Sequence, residues 1–200
     1  MEKTLEFVFD FASPNAYLAY KVIPSILERT GATLIITPCL LGGIFKATGN
    51  QAPMIAFGNI KNKLAYEQRE MERYIEKHGL NKFTFNPHFP VNTLLLMRGA
   101  IAASLNGQLI SYVEAGLTAM WESGEKMDDP EVFASVMSAA GFDGEGLLAQ
   151  TQDPEIKSKL AKNTEQAVER GAFGVPTFFV GSEMFFGKDR LEQVEAELNR

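Results

Sequence analysis

Strand signals occur only at the two ends of this chain, and nothing between them reads as strand. Residues 4 to 10 alternate as a strand does, and Tyr17, Tyr20, Pro24 and Leu27 then follow helical spacing up to Gly31. Residues 32 to 38 form a second β-rich run, and a strand, helix and strand in that order pair their strands in parallel. From about residue 43 to about residue 170 the pattern is helical, with loops marked by Gly and Pro. Strands resume after Pro176, with Thr177 to Val180, a Gly181-Ser182 turn and Met184 to Phe186, before a last helix from about Asp189 to Leu198. One split α/β domain satisfies this order. Residues 1–42 and 171–200 build a mixed four-stranded sheet, and residues 43–170 form an all-helical insertion covering a site at the seam.

Within the helical region three apolar stripes read as core. Leu64, Met71 and Ile75 line a helix that Gly79 ends; Leu94, Leu95, Arg98, Ile101 and Leu105 mark the next; Leu109, Tyr112, Val113, Gly116, Met120 and Trp121 the third. Asp129-Pro130-Glu131 and Asp153-Pro154-Glu155 are helix starts, with Asp at the cap and Pro in the first turn.

The net charge of −6 gives no electrostatic reason to expect nucleic acid, and the basic residues are scattered among carboxylates. The first residues lack the charged-then-apolar pattern of a secretory signal, and no apolar run reaches membrane-spanning length, so a cytoplasmic protein without membrane partners is expected. A single cysteine, Cys39, excludes an intrachain disulfide and an internal dithiol couple. It ends an apolar run, which points to a buried, inert thiol. His78 and His88 have no metal-ligand spacing with each other or with Cys39, and no metal is expected. His78 reads as an end charge on a helix, and the Pro-rich loop leaves His88 open to a role.

Phe9-Asp10-Phe11-Ala12-Ser13-Pro14-Asn15-Ala16-Tyr17 is a strand running into a helix, with Ser13 as N-cap and Pro14 as first helical residue. Such a junction aims a hydroxyl and unsatisfied backbone N–H groups at one spot, where the helix dipole favours an anion such as a thiolate. Far down the chain, Gly174-Val175-Pro176-Thr177 leads into an apolar strand. With Pro176 cis, the Val175 backbone would turn out beside the Ser13 helix start and could pair with a peptide-like ligand as an added strand. A trans proline in an ordinary loop is the other reading, and coupling to the serine junction favours cis.

Together these ends suggest a thioredoxin-like domain, and the whole chain resembles the kappa-class glutathione transferases and the related 2-hydroxychromene-2-carboxylate isomerases. In those proteins a thioredoxin fold is interrupted by a helical insertion like that of DsbA. The matching segments are residues 9–14, Leu40 to Lys46, Thr48 to Gln51, Asn86 to Thr93, and Phe173 to Phe178 with Gly187 to Arg190. The isomerase branch is the closer, chiefly through Phe173 to Arg190. Where redox-active members carry Cys-x-x-Cys, this chain has Ser13-Pro14-Asn15-Ala16, so disulfide chemistry is not expected.

The resemblance implies glutathione as cofactor, with the Ser13 hydroxyl holding its sulfur as thiolate. It implies that Val175, beside Pro176, pairs with the cysteinyl part, and that Phe186, Gly187, Lys188 and Asp189 hold the γ-glutamyl end, Asp189 accepting the α-ammonium. Asp189 could equally cap the final helix. For the second substrate, a small aromatic carboxylate or other electrophile, the implied positions are Asn50, Lys61 or Lys63, His88 and Phe89. On one helix the two lysines could not face the same way, and either could be plain surface. The isomerase pattern has Trp-Trp at Phe185-Phe186 and Asn-Tyr at His88-Phe89, departures that bear on pocket detail and acceptor. The implied activity is a glutathione-dependent isomerase of aromatic-compound degradation. The alternatives are a kappa-like transferase and a non-catalytic peptide- or thiol-binding protein, and a homodimer is left open.

Overall fold

The computed structural model describes residues 3–200. Strand β1 (Thr4–Phe9) lies inside the sheet, between parallel β2 (Thr33–Pro38) and antiparallel β3 (Thr177–Val180), and β4 (Glu183–Phe186) pairs antiparallel with β3. The order β2-β1-β3-β4 is the mixed sheet expected from the chain ends. Helix α1 (Pro14–Thr30) joins β1 to β2. It stops where Gly31 takes φ +69° and returns its N–H to Leu27 O, a left-handed cap that glycine adopts without steric cost.

Between β2 and β3 run α2 (Leu41–Thr48), α3 (Pro53–Ala56), α4 (Lys63–His78), α5 (Leu94–Leu105), α6 (Leu109–Trp121), α7 (Pro130–Ala139), α8 (Gly144–Gln150) and α9 (Pro154–Glu169). A 3-10 turn (Lys188–Arg190) and α10 (Leu191–Leu198) close the chain. Asp129 and Asp153 cap α7 and α9, accepting from backbone N–H groups two residues on.

Alternation along β1 divides the core. Leu5, Phe7 and Phe9 enter the large cluster with α1, α5, α6 and α10, whereas Val8 points to a smaller one with Cys39, Ile44, Val175 and Phe179. Phe7 stacks on Phe178 across the sheet at 5.6 Å between ring centroids. α6 approaches the turn between β1 and α1 closely at Gly116, where an added Cβ would lie 2.5 Å from the Phe11 ring.

The stripes need correction in detail. Leu105 is 66% exposed and Leu64 is exposed, while α5 buries Leu96, Met97 and the run from Gly99 to Ala103. Helix α5 is enclosed by α6, α8 and α9, so its small residues on several faces are core and periodicity alone misassigns its face. The last helix begins later than expected: Asp189 sits inside the 3-10 turn, and Gly187 and Arg190 occupy the two cap positions, so Asp189 caps neither element. Lys61 lies in a turn before α4 and not on a helix.

Candidate active site at the start of the first helix

Ser13 is extended (φ −98°, ψ 114°) and 6% exposed, and its Oγ accepts from Ala16 N–H at 3.2 Å. The same hydroxyl donates to Val175 O at 3.3 Å, a contact spanning 162 residues of sequence. The Val175–Pro176 peptide is cis, as is Phe89–Pro90. Pro176 O accepts from Gly187 N–H at 2.9 Å, and the Phe173 and Phe186 rings meet with centroids 4.5 Å apart. Asn50, just past α2, donates to Phe173 O at 2.7 Å. A continuous patch therefore connects Ser13, Val175, Pro176, Gly187, Phe186 and Asn50. Among the described residues, the N–H groups of Asn15 and Val175 donate to no protein acceptor. Asn15 Oδ1 is buried without a partner as well.

Asp10 fastens this junction from beneath. It is 1% exposed and accepts from Ala12 N–H (2.9 Å), Leu41 N–H (2.7 Å) and the Thr93 hydroxyl (2.5 Å), so one carboxyl holds the approach to α1 and the starts of α2 and α5. Burial raises its pKa above the usual carboxylate value, and the three donors oppose that rise without cancelling it. Asp10 and Asn15 escaped the reading of the sequence. The one local signal was a carboxylate between Phe9 and Phe11 at the end of an apolar strand, since a buried carboxyl there requires partners.

The turn after β4 is built differently from expectation. Lys188 is 6% exposed, lies over the Tyr74 ring at 4.9 Å, and donates to Asp189 Oδ1 at 2.8 Å. Asp189 is mostly exposed and keeps Oδ2 for a second donor.

The remaining candidates have other neighbours. Lys63 pairs with Glu67 at 2.9 Å and lies over the Phe57 ring, and Lys61 is exposed. His88 is exposed, its backbone N–H held by Asn86 Oδ1 at 2.8 Å. Phe89 packs against Phe85 and Trp121. Among the described residues, no hydrogen bond, ion pair or ring contact of these four reaches Ser13 or Val175. Burial, with the fields of Asp10 and Glu6, pushes the Cys39 thiol up to about 12, and its Sγ lies 3.4 Å from Asn163 O. The thiol is buried, as expected, and a raised pKa disfavours the reactive thiolate. His78 at the end of α4 has its pKa lowered by burial and by Lys77, so it is a weaker end charge than the sequence suggested.

Sheet order, the serine-capped helix and the cis proline facing it define a thioredoxin fold with a helical insertion. The chain matches the DSBA-like thioredoxin domain over residues 4–199 and belongs to that family. It is 29% identical over 198 residues to a 2-hydroxychromene-2-carboxylate isomerase of Sphingobium xenophagum, covering 99% of each chain. It is 26% identical to glutathione S-transferase kappa 1 of Homo sapiens, covering 96% of this chain and 89% of that one. Among solved structures, a 2-hydroxychromene-2-carboxylate isomerase superposes with TM-score 0.85 at 28% identity, covering 98% and 95% of the two chains. A probable DsbA oxidoreductase of Streptomyces coelicolor, at 15% identity and TM-score 0.71, shares the fold. Among the described residues no helix is long and apolar enough to cross a membrane.

Proposed function

We propose that this chain is a glutathione-dependent isomerase of 2-hydroxychromene-2-carboxylates, with Ser13 as its catalytic residue. One observation carries the reading: a nearly buried hydroxyl at a helix N-terminus meets the backbone beside a cis proline, with two unpaired N–H groups at hand. The isomerase names among relatives spanning almost the full chain set its direction.

The residues present fit glutathione. The unpaired Val175 N–H suits the backbone of the cysteinyl unit as an added strand. Asp189 Oδ2 suits the α-ammonium, with Lys188 fixing the carboxylate, and Phe186 and Gly187 shape the turn that receives the γ-glutamyl end. When bound, glutathione would supply a thiolate that adds to an electrophilic carbon of the substrate and leaves after ring opening and bond rotation. Ser13 Oγ would turn from Val175 O toward the sulfur, a small loss because the 3.3 Å bond is long. The Asn15 N–H and the α1 dipole add to its field.

Asn50, one of Lys61 and Lys63, His88 and Phe89 are assigned to the carboxylate substrate in this reading. Asn50 has the firmest support, through its bond to Phe173 O. Residues 1–42 with 171–200 serve as the glutathione-binding part and 43–170 as the cover, in a cytoplasmic enzyme of aromatic-compound degradation.

The test supplies 2-hydroxychromene-2-carboxylate with trace glutathione and follows product and free thiol by chromatography. The expected result is ring-opened benzylidenepyruvate with the thiol undiminished. Stoichiometric loss of glutathione into a thioether replaces the isomerase with a transferase, and failure to bind glutathione leaves a non-catalytic peptide binder.

A further inference from the structure

We propose a second binding site, for an organic carboxylate with an apolar body, in the cleft of about 480 Å³ between α2, α5 and α9. None of the residues assigned above to glutathione or to the chromene substrate lines it, so it is independent of that reading. Its volume falls in the range of small-molecule pockets. Leu94 of α5 and Leu160 and Val168 of α9 give it an apolar wall.

Into this wall is set Arg98. Its Nε is buried with no hydrogen-bond partner, and among the described residues its guanidinium makes no hydrogen bond or ion pair. A buried donor without an acceptor is disfavoured until one arrives, and a planar guanidinium takes a carboxylate through two parallel hydrogen bonds. Lys46 of α2 and Lys157 of α9 line the same cleft, and Lys46 likewise has no ion pair among the described residues. One carboxylate, Glu165, opposes these three cations. It is exposed, so water screens it, and it forms no salt bridge with any of them among the described residues.

The remaining polar group of the lining offers no competing acceptor or donor. The Thr164 hydroxyl already accepts from Leu40 N–H at 3.0 Å and donates to Leu160 O at 2.8 Å. A charged head on Arg98 with a greasy body against Leu94, Leu160 and Val168 is the occupant this lining selects. A hydrophilic anion would leave the wall in contact with water, and a neutral apolar molecule would leave Arg98 unpaired.

Calorimetric titration of the full chain with 2-naphthoate, and with uncharged 2-naphthamide, tests this. The expected result is saturable 2-naphthoate binding that is at least about tenfold weaker for 2-naphthamide and for Arg98→Met, as the loss of a charge-assisted pair predicts. Ala161→Phe, which places bulk on the exposed α9 wall, should abolish binding with the fold intact by circular dichroism. Ser13→Ala should bind 2-naphthoate like the parent. The proposal is overturned by no binding, by equal affinity for the amide, or by affinity unchanged in Ala161→Phe. It is equally overturned if binding is lost in Ser13→Ala and kept in Arg98→Met, which would place the naphthoate at the Ser13 site. Should Arg98→Met fail to fold, Ala161→Phe decides alone.

Discussion

Ser13→Ala separates the two tasks of one hydroxyl. As a cap it accepts from Ala16 N–H, and its loss costs about 1 kcal/mol of stability. As the proposed donor to a bound glutathione sulfur it would contribute about 1.5 to 3 kcal/mol, which at 1.36 kcal/mol per unit is about one to two pKa units. A free thiol has a pKa of about 8.5, and a site lowering it by about two units holds roughly three-quarters of the sulfur as thiolate at pH 7. Removing the hydroxyl brings that fraction to between roughly 2% and 20%, so turnover at pH 7 should fall about four- to forty-fold. The sign matters: the variant should regain activity as pH rises, because the medium then does what the hydroxyl did. The assay is the ultraviolet absorbance of bound glutathione thiolate against pH, alongside turnover at each pH. An unchanged ionisation midpoint in Ser13→Ala would refute the reasoning, even if activity were lost.

Three further outcomes follow from the geometry. Because burial raises the Asp10 pKa above its ordinary value of 3.8, the folded state binds the proton more tightly than the unfolded one. The stability advantage of the parent over Asp10→Asn should therefore decline as pH rises above that value; a urea-unfolding series that shows it growing would exclude a raised pKa. Cys39, with its thiol pushed up to about 12, should resist alkylation in the native protein and react at once in denaturant, as mass spectrometry can follow, and Cys39→Ser should leave turnover near that of the parent. Gly116→Ala puts a Cβ 2.5 Å from the Phe11 ring and should cost about 1 to 3 kcal/mol in thermal melts, whereas Leu105→Ser, on a 66% exposed side chain, should be nearly silent.

What the sequence by itself determined was whatever local chemistry decides. Strand and helix order, the Gly31 and Gly79 stops and the caps at Ser13, Asp129 and Asp153 all rest on backbone preferences and hydrogen bonds within a few residues. Half of the site was legible for the same reason, since a Ser-Pro helix start aims a hydroxyl and N–H groups at one point wherever it occurs. That this point faces Val175 rests on a contact across 162 residues, which the resemblance indicated and no local pattern could. Tertiary packing alone decided the rest. It left Leu64 and Leu105 exposed while enclosing Ala100 and Ala103. It buried Lys188 over Tyr74 and set its ammonium against Asp189, and it joined Asp10 to Leu41 and Thr93. The physical reason is that burial and electrostatic partnership belong to the space between elements, and that space exists only once the elements have packed.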